Sequence, residues 1–263
     1  METKKPIVIK IGGSTLGTHD TTIEDLVNLQ KRGLLLVVVH GGGNRLTQWL
    51  ERHDIPTSFI GGLRVTDERS LEMAAAVLGG LVNTELVAAI NSLGGRAIGI
   101  TGVDGNLIEG KIEDARLGYV GRIVKVNTQA LEAILAAGFI PLIAPPCARS
   151  SDETANVPYL NINGDEIAGE LAAAMSAQSL IFLTDVEGIR DSHGKLLRKL
   201  TTHEVRSLLA SGVIAGGMIP KAEAAMTALK TTSVVQITDG RVPHALIEAV
   251  EGRIAGTVIT QPI

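Results

Sequence analysis

The stretch Leu-Leu-Leu-Val-Val-Val-His-Gly-Gly-Gly-Asn at 34–44 joins the densest apolar run of the chain to three consecutive glycines. A continuous apolar run, rather than an alternating one, is typical of a strand that is covered on both faces of a parallel sheet. Glycines after such a strand, followed by a helical pattern at 45–52, let backbone N–H groups approach an anion closely. The stretch therefore predicts a doubly covered parallel strand that ends at an anion site.

The rest of the chain repeats this alternation of strand and helix. Strands are predicted at 7–11, 34–40, 97–101, 140–144, 180–184, 234–238 and 257–260. Helices are predicted at 22–31, 45–52, 68–91, 128–137, 165–177, 201–211, 220–231 and 243–250. Such an alternation implies an α/β sandwich.

Two stretches interrupt the alternation. Residues 102–126 place glycines between short β-prone pieces, which predicts β-hairpins, and residues 145–158 are rich in Pro, Ser and Asp, which predicts a surface loop or a lobe junction. We place a boundary near Ala177. It separates an N-terminal lobe, 1–177, from a smaller C-terminal lobe, 178–263, on the same sheet.

Composition excludes several classes of protein. The chain has 263 residues, a net charge of -4, 2% aromatic residues and a single cysteine, Cys147. These values argue against broad nucleic-acid binding, base-stacking platforms, a disulfide framework and a cysteine-based zinc site. No signal peptide and no long apolar span is recognised in the sequence, so no membrane partner is expected and a cytoplasmic location is the expectation.

Lys-Ile-Gly-Gly-Ser at 10–14 is the first site candidate. Lys10 lies within an apolar run, where an unpaired charge would be costly to bury, and Gly12 and Gly13 follow it. In open α/β sheets, ligands bind beyond the carboxyl ends of the strands. The motif predicts a phosphate site with a lysine, although a tight turn beside a solvated lysine is the alternative.

Three familiar signatures are absent from the sequence. Leu46 stands where the dinucleotide fingerprint needs its third glycine, and Leu196 follows Gly194-Lys195 where a phosphate-binding loop needs Ser or Thr. His-Gly-Gly-Gly at 40–43 also occurs in esterase oxyanion loops, but the Gly-x-Ser-x-Gly elbow that these enzymes need is missing. Two glycine-rich anion sites therefore remain without a standard nucleotide signature.

Polar residues around the middle of the chain predict a site for an anionic substrate. Arg64 offers a bidentate guanidinium to a carboxylate, and a salt bridge to Asp67 is the alternative. Asn161 and Asn163 are two residues apart, so on an extended segment they would face the same side. Asp165 opens the next predicted helix, either within a polar site or as its N-cap.

Two further turns carry charged residues. Asp185 follows the strand at 180–184 and either meets a nucleotide or caps a turn. Lys221 lies in the first turn of a helix that begins near Pro220, where its positive charge opposes the helix dipole. An anionic ligand explains that placement better than fold stability does, and a tolerated surface lysine is the alternative.

Taken together, these motifs resemble the amino-acid kinase family over nearly the whole chain. The residues that carry the resemblance are K-I-G-G-S (10–14), V-V-V-H-G-G-G (37–43), G-L-R-V-T-D (62–67), V-N-T-E-L-V (82–87), G-x-D-G (102–105), N-I-N-G-D (161–165), L-T-D-V-E-G-I (183–189) and G-G-M-I-P-K (216–221). Each motif alone is weak, but the set is specific. The resemblance implies a three-layer αβα sandwich with an open, mainly parallel central sheet.

The resemblance also implies an activity and residue roles. The activity is ATP-dependent phosphorylation of the side-chain carboxylate of N-acetyl-L-glutamate in L-arginine biosynthesis, with the amino-acid derivative in the N-terminal lobe and ATP in the C-terminal lobe. The implied residues are catalytic Lys10, Lys221 and Asp165; substrate-binding Gly42, Gly43, Asn161 and, on the α-carboxylate, Arg64; and nucleotide-binding Gly12, Gly13, Asp185, Val186, Glu187, Gly188, Ile189, Arg190, Val213, Ile214 and Ala215.

The implied chemistry agrees with the residue types. A carboxylate nucleophile is already ionised at pH 7, so no general base is needed. The reaction instead needs positive charge around the phosphoryl group and in-line placement, which lysines and glycine N–H groups supply. Mg²⁺ would arrive with ATP and keep mainly phosphate and water ligands. The sequence does not identify protein ligands for it.

The resemblance also bears on assembly and leaves two alternatives. Nine residues precede Lys10, so we expect no N-terminal helix of the kind that builds arginine-inhibited hexamers, and instead an arginine-insensitive homodimer through 68–91. A kinase for carrier-protein-linked α-aminoadipate or glutamate is disfavoured because the glycines at 41–43 are intact and only Arg69 adds positive charge near Arg64. A non-catalytic nucleotide sensor is disfavoured because both lysines and Asp165 are present.

Overall fold

A computed structural model describes residues 4–12, 21–152, 156–253 and 255–262. Its main feature is an 11-stranded sheet. The strands of this sheet are β1 Ile7–Ile11, β2 Leu36–His40, β5 Ala97–Gly102, β6 Ile108–Ile112, β7 Gly121–Val126, β8 Ile140–Arg149, β9 Tyr159–Asn161, β10 Ser179–Thr184, β11 Lys199–Thr201, β12 Val234–Asp239 and β13 Thr257–Thr260. They follow the order β11-β13-β12-β10-β1-β2-β8-β6-β7, and β5 and β9 each pair with β8. A separate hairpin pairs β3 Phe59–Ile60 with β4 Leu63–Arg64.

Helices cover both faces of the sheet. They are α1 Thr22–Lys31, α2 Gly43–Arg52, α3 Glu68–Ser92, α4 Gln129–Ala136, α5 Gly164–Ala174, α6 Thr202–Ala210, α7 Met218–Ala228 and α8 Ala245–Val250. Buried apolar residues of α1, α2, α8 and, except for Leu71, α3 join one core with Ile7, Ile9 and Val38. Leu71 and the buried apolar residues of α4–α7 join a second core with Val8 and Val37. The strands alternate their side chains between the two cores, so the three-layer αβα sandwich is confirmed.

The sheet order brings the two halves of the chain together at one strand pair. The strands that follow residue 178 occupy one side of the sheet, and β1 pairs with β10 in parallel, with Lys10 opposite Phe182. On its other edge β1 pairs in parallel with β2, with Ile11 opposite His40. The carboxyl ends of β1, β2 and β10 therefore lie side by side, which is where a parallel sheet places its ligands.

One expectation was wrong and another is confirmed. The segment 145–158 is not a surface loop as a whole, because β8 continues to Arg149 and is buried from Ile140 to Ala148. Proline and serine content predicted a loop, but β5, β6 and β9 pair with this part of β8 and enclose it, so burial overrides the local signal. The hairpin within 102–126 is confirmed by the antiparallel pair β6–β7.

Helix α3 combines three segments. Its ends, Glu68–Ala74 and Asn83–Ser92, are α-helical, and Ala75–Val82 has the wider π-helical hydrogen bonding. By length and composition this helix could cross a membrane. One such helix is weak evidence for a membrane, since a core helix passes the same test. In this fold its buried residues Val77, Leu78 and Val82 belong to the core on one face of the sheet.

Candidate active site

Two lysines from distant parts of the chain converge on one carboxylate. Lys10 Nζ lies 2.9 Å from Asp165 Oδ1, and Lys221 Nζ lies 2.9 Å from Asp165 Oδ2. The side chains of Lys10 and Asp165 are 9% and 7% exposed and that of Lys221 is 18% exposed, so the cluster is almost closed to solvent. Three elements, β1, α5 and α7, supply one residue each.

The N-cap of α5 explains why the Asp165 side chain can pair with the two lysines. Asn163 is the N-cap of α5, and its side chain accepts a hydrogen bond of 2.8 Å from the backbone N–H of Asp165. The alternative that Asp165 caps its own helix is therefore wrong. Instead Asp165 lies in the first turn of α5, at the positive end of the helix dipole, which favours the ionised form of its carboxylate.

The charges of the cluster support one another. Burial by itself would raise the pKa of Asp165, but the positive charges and hydrogen bonds of Lys10 and Lys221 outweigh it and hold that pKa below its ordinary value. The carboxylate therefore stays ionised at neutral pH and keeps both ammonium groups in place. With two lysines and one aspartate the cluster carries excess positive charge, which suits a phosphoryl group.

A cavity of about 280 Å³ opens at the cluster. Its wall combines glycines, polar groups and apolar side chains. The residues that line it are Lys10, Gly12, Gly41, Gly42, Gly43, Leu46, Phe59, Gly62, Leu63, Arg64, Leu78, Val120, Pro145, Asn161, Ile162, Asn163, Gly164, Thr184, Asp185 and Lys221. The cavity thus lies at the joined carboxyl ends of β1, β2 and β10.

Arg64 is held in the cavity wall by neutral groups. Its guanidinium donates to Gly43 O at 3.1 Å and to Thr47 Oγ1 at 2.7 Å, and it lies 4.8 Å from the ring centre of Phe59. The alternative salt bridge to Asp67 is wrong, since Asp67 caps α3 by accepting from Ser70 N. Among the described residues no carboxylate pairs with Arg64, and burial lowers its pKa. An anionic ligand would supply the missing counter-charge.

Asn161 and Asn163 play different parts, although both line the cavity. Asn161 ends β9, and its side-chain amide donates to Thr66 Oγ1 at 3.4 Å. Asn163 is used as the helix cap described above. The expectation that the two share a face holds only in the sense that both reach the cavity.

Glycines from the segments 10–14 and 40–44 meet in the cavity. Gly12, Gly42 and Gly43 line it, whereas Gly13 lies outside the described residues. Gly42 has φ +134°, a conformation that residues with a Cβ rarely adopt, and a Cβ there would lie 2.8 Å from Leu78. Gly216 and Gly217 of the segment 216–221 lie outside the cavity wall, just before α7.

Most residues of the implied nucleotide site lie outside this cavity. Asp185 lines it, but Val186 to Arg190 and Val213 to Ala215 do not. Ile189 and Ile214 are buried in the core, and Arg190 pairs with Glu187 at 2.8 Å. The cavity that contains the lysines and the region formed by 186–190 and 213–215 are therefore two separate parts of the structure.

Sequence reasoning missed Thr47 and Thr66, which hold Arg64 and Asn161. Thr47 follows Gly43 by one helical turn, so the i to i+4 spacing on α2 was a usable signal. Thr66 carries no such signal, because only the fold brings it to Asn161. The β3–β4 hairpin was also missed, although its Gly61-Gly62 turn is typical of a tight hairpin.

No resident metal site stands out in the parts of the chain that the structure describes. They contain no group of three or more His, Cys, Asp or Glu side chains that could hold a metal ion. Both oxygens of Asp165 are engaged by lysines. This donor set fits a Mg²⁺ ion that keeps phosphate and water ligands better than one that is caged by the protein.

A family model identifies the class of protein that this fold and site define. The model of the amino acid kinase family matches residues 5–239. The chain belongs to the amino acid kinase family, as the motifs predicted.

Individual relatives narrow the comparison. The chain is 40% identical over 255 residues to a protein of Dehalococcoides mccartyi (strain ATCC BAA-2100 / JCM 16839 / KCTC 5957 / BAV1) named acetylglutamate kinase, covering 97% of this chain and 94% of the relative. The crystal structure of smu.665 from Streptococcus mutans UA159 superposes with a TM-score of 0.83 at 30% identity, covering 97% of this chain and 98% of the other. The N-acetylglutamate synthase from Neisseria gonorrhoeae, complexed with coenzyme A and N-acetyl-glutamate, gives a TM-score of 0.84 at 26% identity, covering 98% of this chain and 60% of the other.

Proposed function

We propose that this protein transfers the γ-phosphoryl group of ATP to the side-chain carboxylate of N-acetyl-L-glutamate, forming N-acetyl-L-glutamyl 5-phosphate and ADP in L-arginine biosynthesis. The observation that carries the proposal is the pair of lysines that line one cavity and contact the two oxygens of Asp165. Relatives named acetylglutamate kinase that match nearly the full chain support the same substrate.

The transfer needs no proton acceptor. A carboxylate oxygen of the substrate forms a bond to the γ-phosphorus, the bond from that phosphorus to the bridging oxygen breaks, and the electron pair leaves on ADP. Lys10 and Lys221 stabilise the negative charge of the group in transit, and Asp165 keeps their ammonium groups close together. Mg²⁺ bound to the nucleotide would neutralise phosphate charge, with mainly phosphate and water as its ligands.

The cavity wall supports an acylated amino acid as acceptor. We assign the α-carboxylate to Arg64, because its guanidinium is oriented by Gly43 O and Thr47 Oγ1 yet lacks an acidic partner among the described residues. Asn161 offers an amide at the same wall. Apolar side chains such as Leu46, Leu78 and Val120 line the remainder and suit the acetyl methyl group.

We propose that the adenosine end of ATP binds to the C-terminal lobe, 178–263. Gly12 and Asp185 lie at the cavity, and Val186–Arg190 and Val213–Ala215 would continue the path away from the lysines. The glycine conformation at Gly188, with φ +156°, lets that turn pack against Thr257. The N-terminal lobe, 1–177, would then hold the acceptor, and the parallel pair β1–β10 would join the two lobes.

We also propose a homodimer that forms through α3 in the cytoplasm. Apolar residues remain accessible on this helix in the single chain: Met73, Leu81 and Val87 are partly exposed and Ala76 and Ala88 are exposed. An apolar helix face of this kind is commonly covered by a second copy of the chain.

A hydroxylamine trap tests the activity. Acyl phosphates react with hydroxylamine to give hydroxamates, which form coloured iron complexes. We expect hydroxamate with ATP, Mg²⁺ and N-acetyl-L-glutamate, and none when ATP is omitted. Equal turnover of unacetylated L-glutamate, or turnover only of a carrier-protein-linked acceptor, would overturn the substrate, and nucleotide binding without any hydroxamate would indicate a sensor.

A further inference from the structure

We infer that His40 is a positioning residue: through the peptide between Gly41 and Gly42 it directs the Gly42 N–H into the cavity, and Asn83 fixes the imidazole that does so. The inference rests on the proposed function only for its kinetic readout. The ligand that the N–H would meet is an anionic oxygen, either of the acceptor carboxylate or of the phosphoryl group.

The hydrogen bonds of His40 define one tautomer. Its Nδ1 lies 2.7 Å from Gly41 O, and its Nε2 lies 3.1 Å from the side-chain nitrogen of Asn83. A carbonyl can only accept, so Nδ1 carries the proton. The Asn83 amide also donates to Leu142 O at 3.0 Å, which identifies its nitrogen and leaves Nε2 as an acceptor.

The ring is held in its neutral form. His40 has no exposed surface, and burial lowers its pKa to about 4, with the positive charge of Lys10 contributing. A neutral imidazole has one donor and one acceptor, and both are used here. A second proton on Nε2 would oppose the Asn83 donor, so the network is stable in only one arrangement.

The planar peptide between Gly41 and Gly42 links the His40 contact to the direction in which the Gly42 N–H points. In a trans peptide the C=O and the next N–H point in opposite directions, and no cis peptide occurs in the described segments. The Gly41 carbonyl points at the buried ring, so the Gly42 N–H points the other way, toward the cavity that Gly42 lines.

Neighbouring backbone groups of the loop are already used. Gly41 N donates to Ile11 O at 3.0 Å, and Gly42 O accepts from Leu46 N at 2.9 Å. Within the described residues, the Gly42 N–H donates to no protein group. A free amide at the cavity wall, fixed from behind, is the arrangement that an oxyanion site requires.

The position of Asn83 is itself enforced. A Cβ at Gly99 would lie 1.8 Å from Asn83 Oδ1, so only glycine at 99 leaves room for this amide. Asn83 stands where the π-helical part of α3 gives way to the α-helical part, and it is buried. Three elements, β5, α3 and β2, are therefore fitted around one imidazole.

The test compares two substitutions of His40. His40→Leu removes both ring contacts, whereas His40→Asn keeps a side-chain N–H close to the position of Nδ1. We expect His40→Leu to lower kcat by about 30- to 300-fold with less than about a threefold change in the Kd of ADP, and His40→Asn to recover at least about tenfold of that loss. Equal losses in both variants, or kcat in His40→Leu within about threefold of wild type, would overturn the inference.

A matched control separates positioning from stability. Gln236 of β12 is also buried and donates a hydrogen bond of 2.8 Å to a carbonyl, that of Ala249, away from the cavity. We expect Gln236→Leu to lower the melting temperature while kcat stays within about twofold of wild type. A kcat loss in Gln236→Leu as large as that in His40→Leu would show that lost stability suffices, and would overturn the inference.

Reversing the Asn83 hydrogen bond tests the tautomer directly. In Asn83→Asp the new carboxylate accepts from Nε2, so the neutral ring loses its Nδ1 proton and Gly41 O loses its donor. Protonation of the ring restores that donor, so kcat of this variant should rise about tenfold or more as pH falls from 8 to 6, unlike wild type. A variant profile parallel to that of wild type contradicts the assignment.

A crystal structure of His40→Leu gives a readout that does not depend on the substrate. We expect the Gly41–Gly42 peptide to rotate or to adopt two orientations. An unchanged peptide plane would overturn the inference even if wild type phosphorylates N-acetyl-L-glutamate. Conversely, an inactive wild type together with a rotated peptide would refute the proposed function while supporting the role of His40.

Discussion

Lys10 Nζ lies 2.9 Å from Asp165 Oδ1, and both side chains are more than nine-tenths buried although they come from the first strand and the fifth helix. A buried charge of this kind is tolerated only when it is paired. The pair therefore links the fold of the protein to its proposed chemistry, because the same ammonium group must be stable in the resting state and available to phosphate.

Removing the central charge should harm both stability and turnover. In Asp165→Asn, Lys10 keeps its buried charge without a counter-charge, so we expect the free energy of unfolding to fall by about 3–5 kcal/mol. We expect kcat to fall at least about 100-fold, because the lysines are no longer held together. Denaturant unfolding and the hydroxamate assay measure the two effects.

The control for this variant is an exposed ion pair. Lys111 and Asp152 form a salt bridge at the surface, so Asp152→Asn should leave stability and kcat nearly unchanged. An Asp165→Asn protein as stable and active as Asp152→Asn would contradict the role assigned to the buried cluster.

The lowered pKa of Asp165 makes a prediction about pH. A carboxyl whose folded-state pKa is depressed stabilises the fold above its unfolded-state pKa of about 3.9, and this contribution is lost as pH falls through the folded-state value. The difference in free energy of unfolding between wild type and Asp165→Asn should therefore be constant from pH 6 to 8 and should shrink only in acid. A difference that already declines between pH 7 and 6 would contradict the explanation by an ion pair.

Lys221 should matter for transfer more than for binding. It is the more accessible of the two lysines and donates to Asp165 at 2.9 Å and to Gly217 O at 3.3 Å. We expect Lys221→Met to lower kcat about 100- to 1000-fold and to change the Kd of ADP by less than about tenfold. Retained turnover with intact ADP binding would favour the nucleotide sensor, and calorimetry with steady-state kinetics decides between these results.

Arg64 should determine affinity for the acceptor. In Arg64 one guanidinium nitrogen donates to Gly43 O and Thr47 Oγ1, and the other donates to Thr57 Oγ1 at 3.3 Å. Lysine lacks this planar pair of nitrogens, so Arg64→Lys should raise KM for N-acetyl-L-glutamate about 10- to 100-fold with a smaller change in kcat. Arg69→Lys is the matched control, since Arg69 is exposed and donates a hydrogen bond to His53 O at 3.4 Å, outside the cavity wall. Equal KM values for the two variants would exclude Arg64 from the substrate site.

Glu166 should make stability depend on pH. Burial raises the pKa of its carboxyl to about 7, with the charges of Glu113 and Glu170 contributing and the hydrogen bond from Ile123 N opposing. A raised pKa means that the stabilising contribution is complete below the ordinary value of 4.5 and is lost as pH rises through about 7. Wild type should therefore lose stability between pH 5 and 8.

Glu166→Gln isolates this effect. The amide oxygen still accepts from Ile123 N and never ionises, so the variant should be about 1–2 kcal/mol more stable than wild type at pH 8 and equal to it at pH 5. Glu223→Gln changes an exposed carboxylate near the same helix and should show no such difference. Parallel pH profiles for wild type and Glu166→Gln would refute the assignment.

The proposed dimer can be tested by the mass of the protein in solution. Sedimentation should give about twice the mass of one chain, and Leu81→Arg on the partly exposed face of α3 should shift the protein toward the monomer. Lys195→Ala, an exposed change between β10 and β11, is the control and should leave the mass unchanged. A hexamer in wild type, or a dimer that survives Leu81→Arg, would contradict this interface.

The sequence by itself determined the elements and the kind of chemistry. The helix Thr22–Lys31 and the strand Thr257–Thr260 were predicted at their observed bounds, because helical periodicity and continuous apolar runs are local properties. Lys10 stood out because a charge within an apolar run needs a partner. The resemblance, rather than spacing, connected it to Lys221.

Tertiary structure alone decided which residues meet. The parallel pairs β10–β1 and β1–β2 align the strand ends at the cavity that Lys10 and Lys221 line, and the packing of the helices brings Asp165 to both lysines. The fold also buries Pro145 and Pro146 within β8, although proline is disfavoured in a strand, and it places the Asn83 amide against the ring of His40. Such contacts join residues far apart in the chain, and their geometry follows from sheet order and packing, which no local pattern of residues encodes.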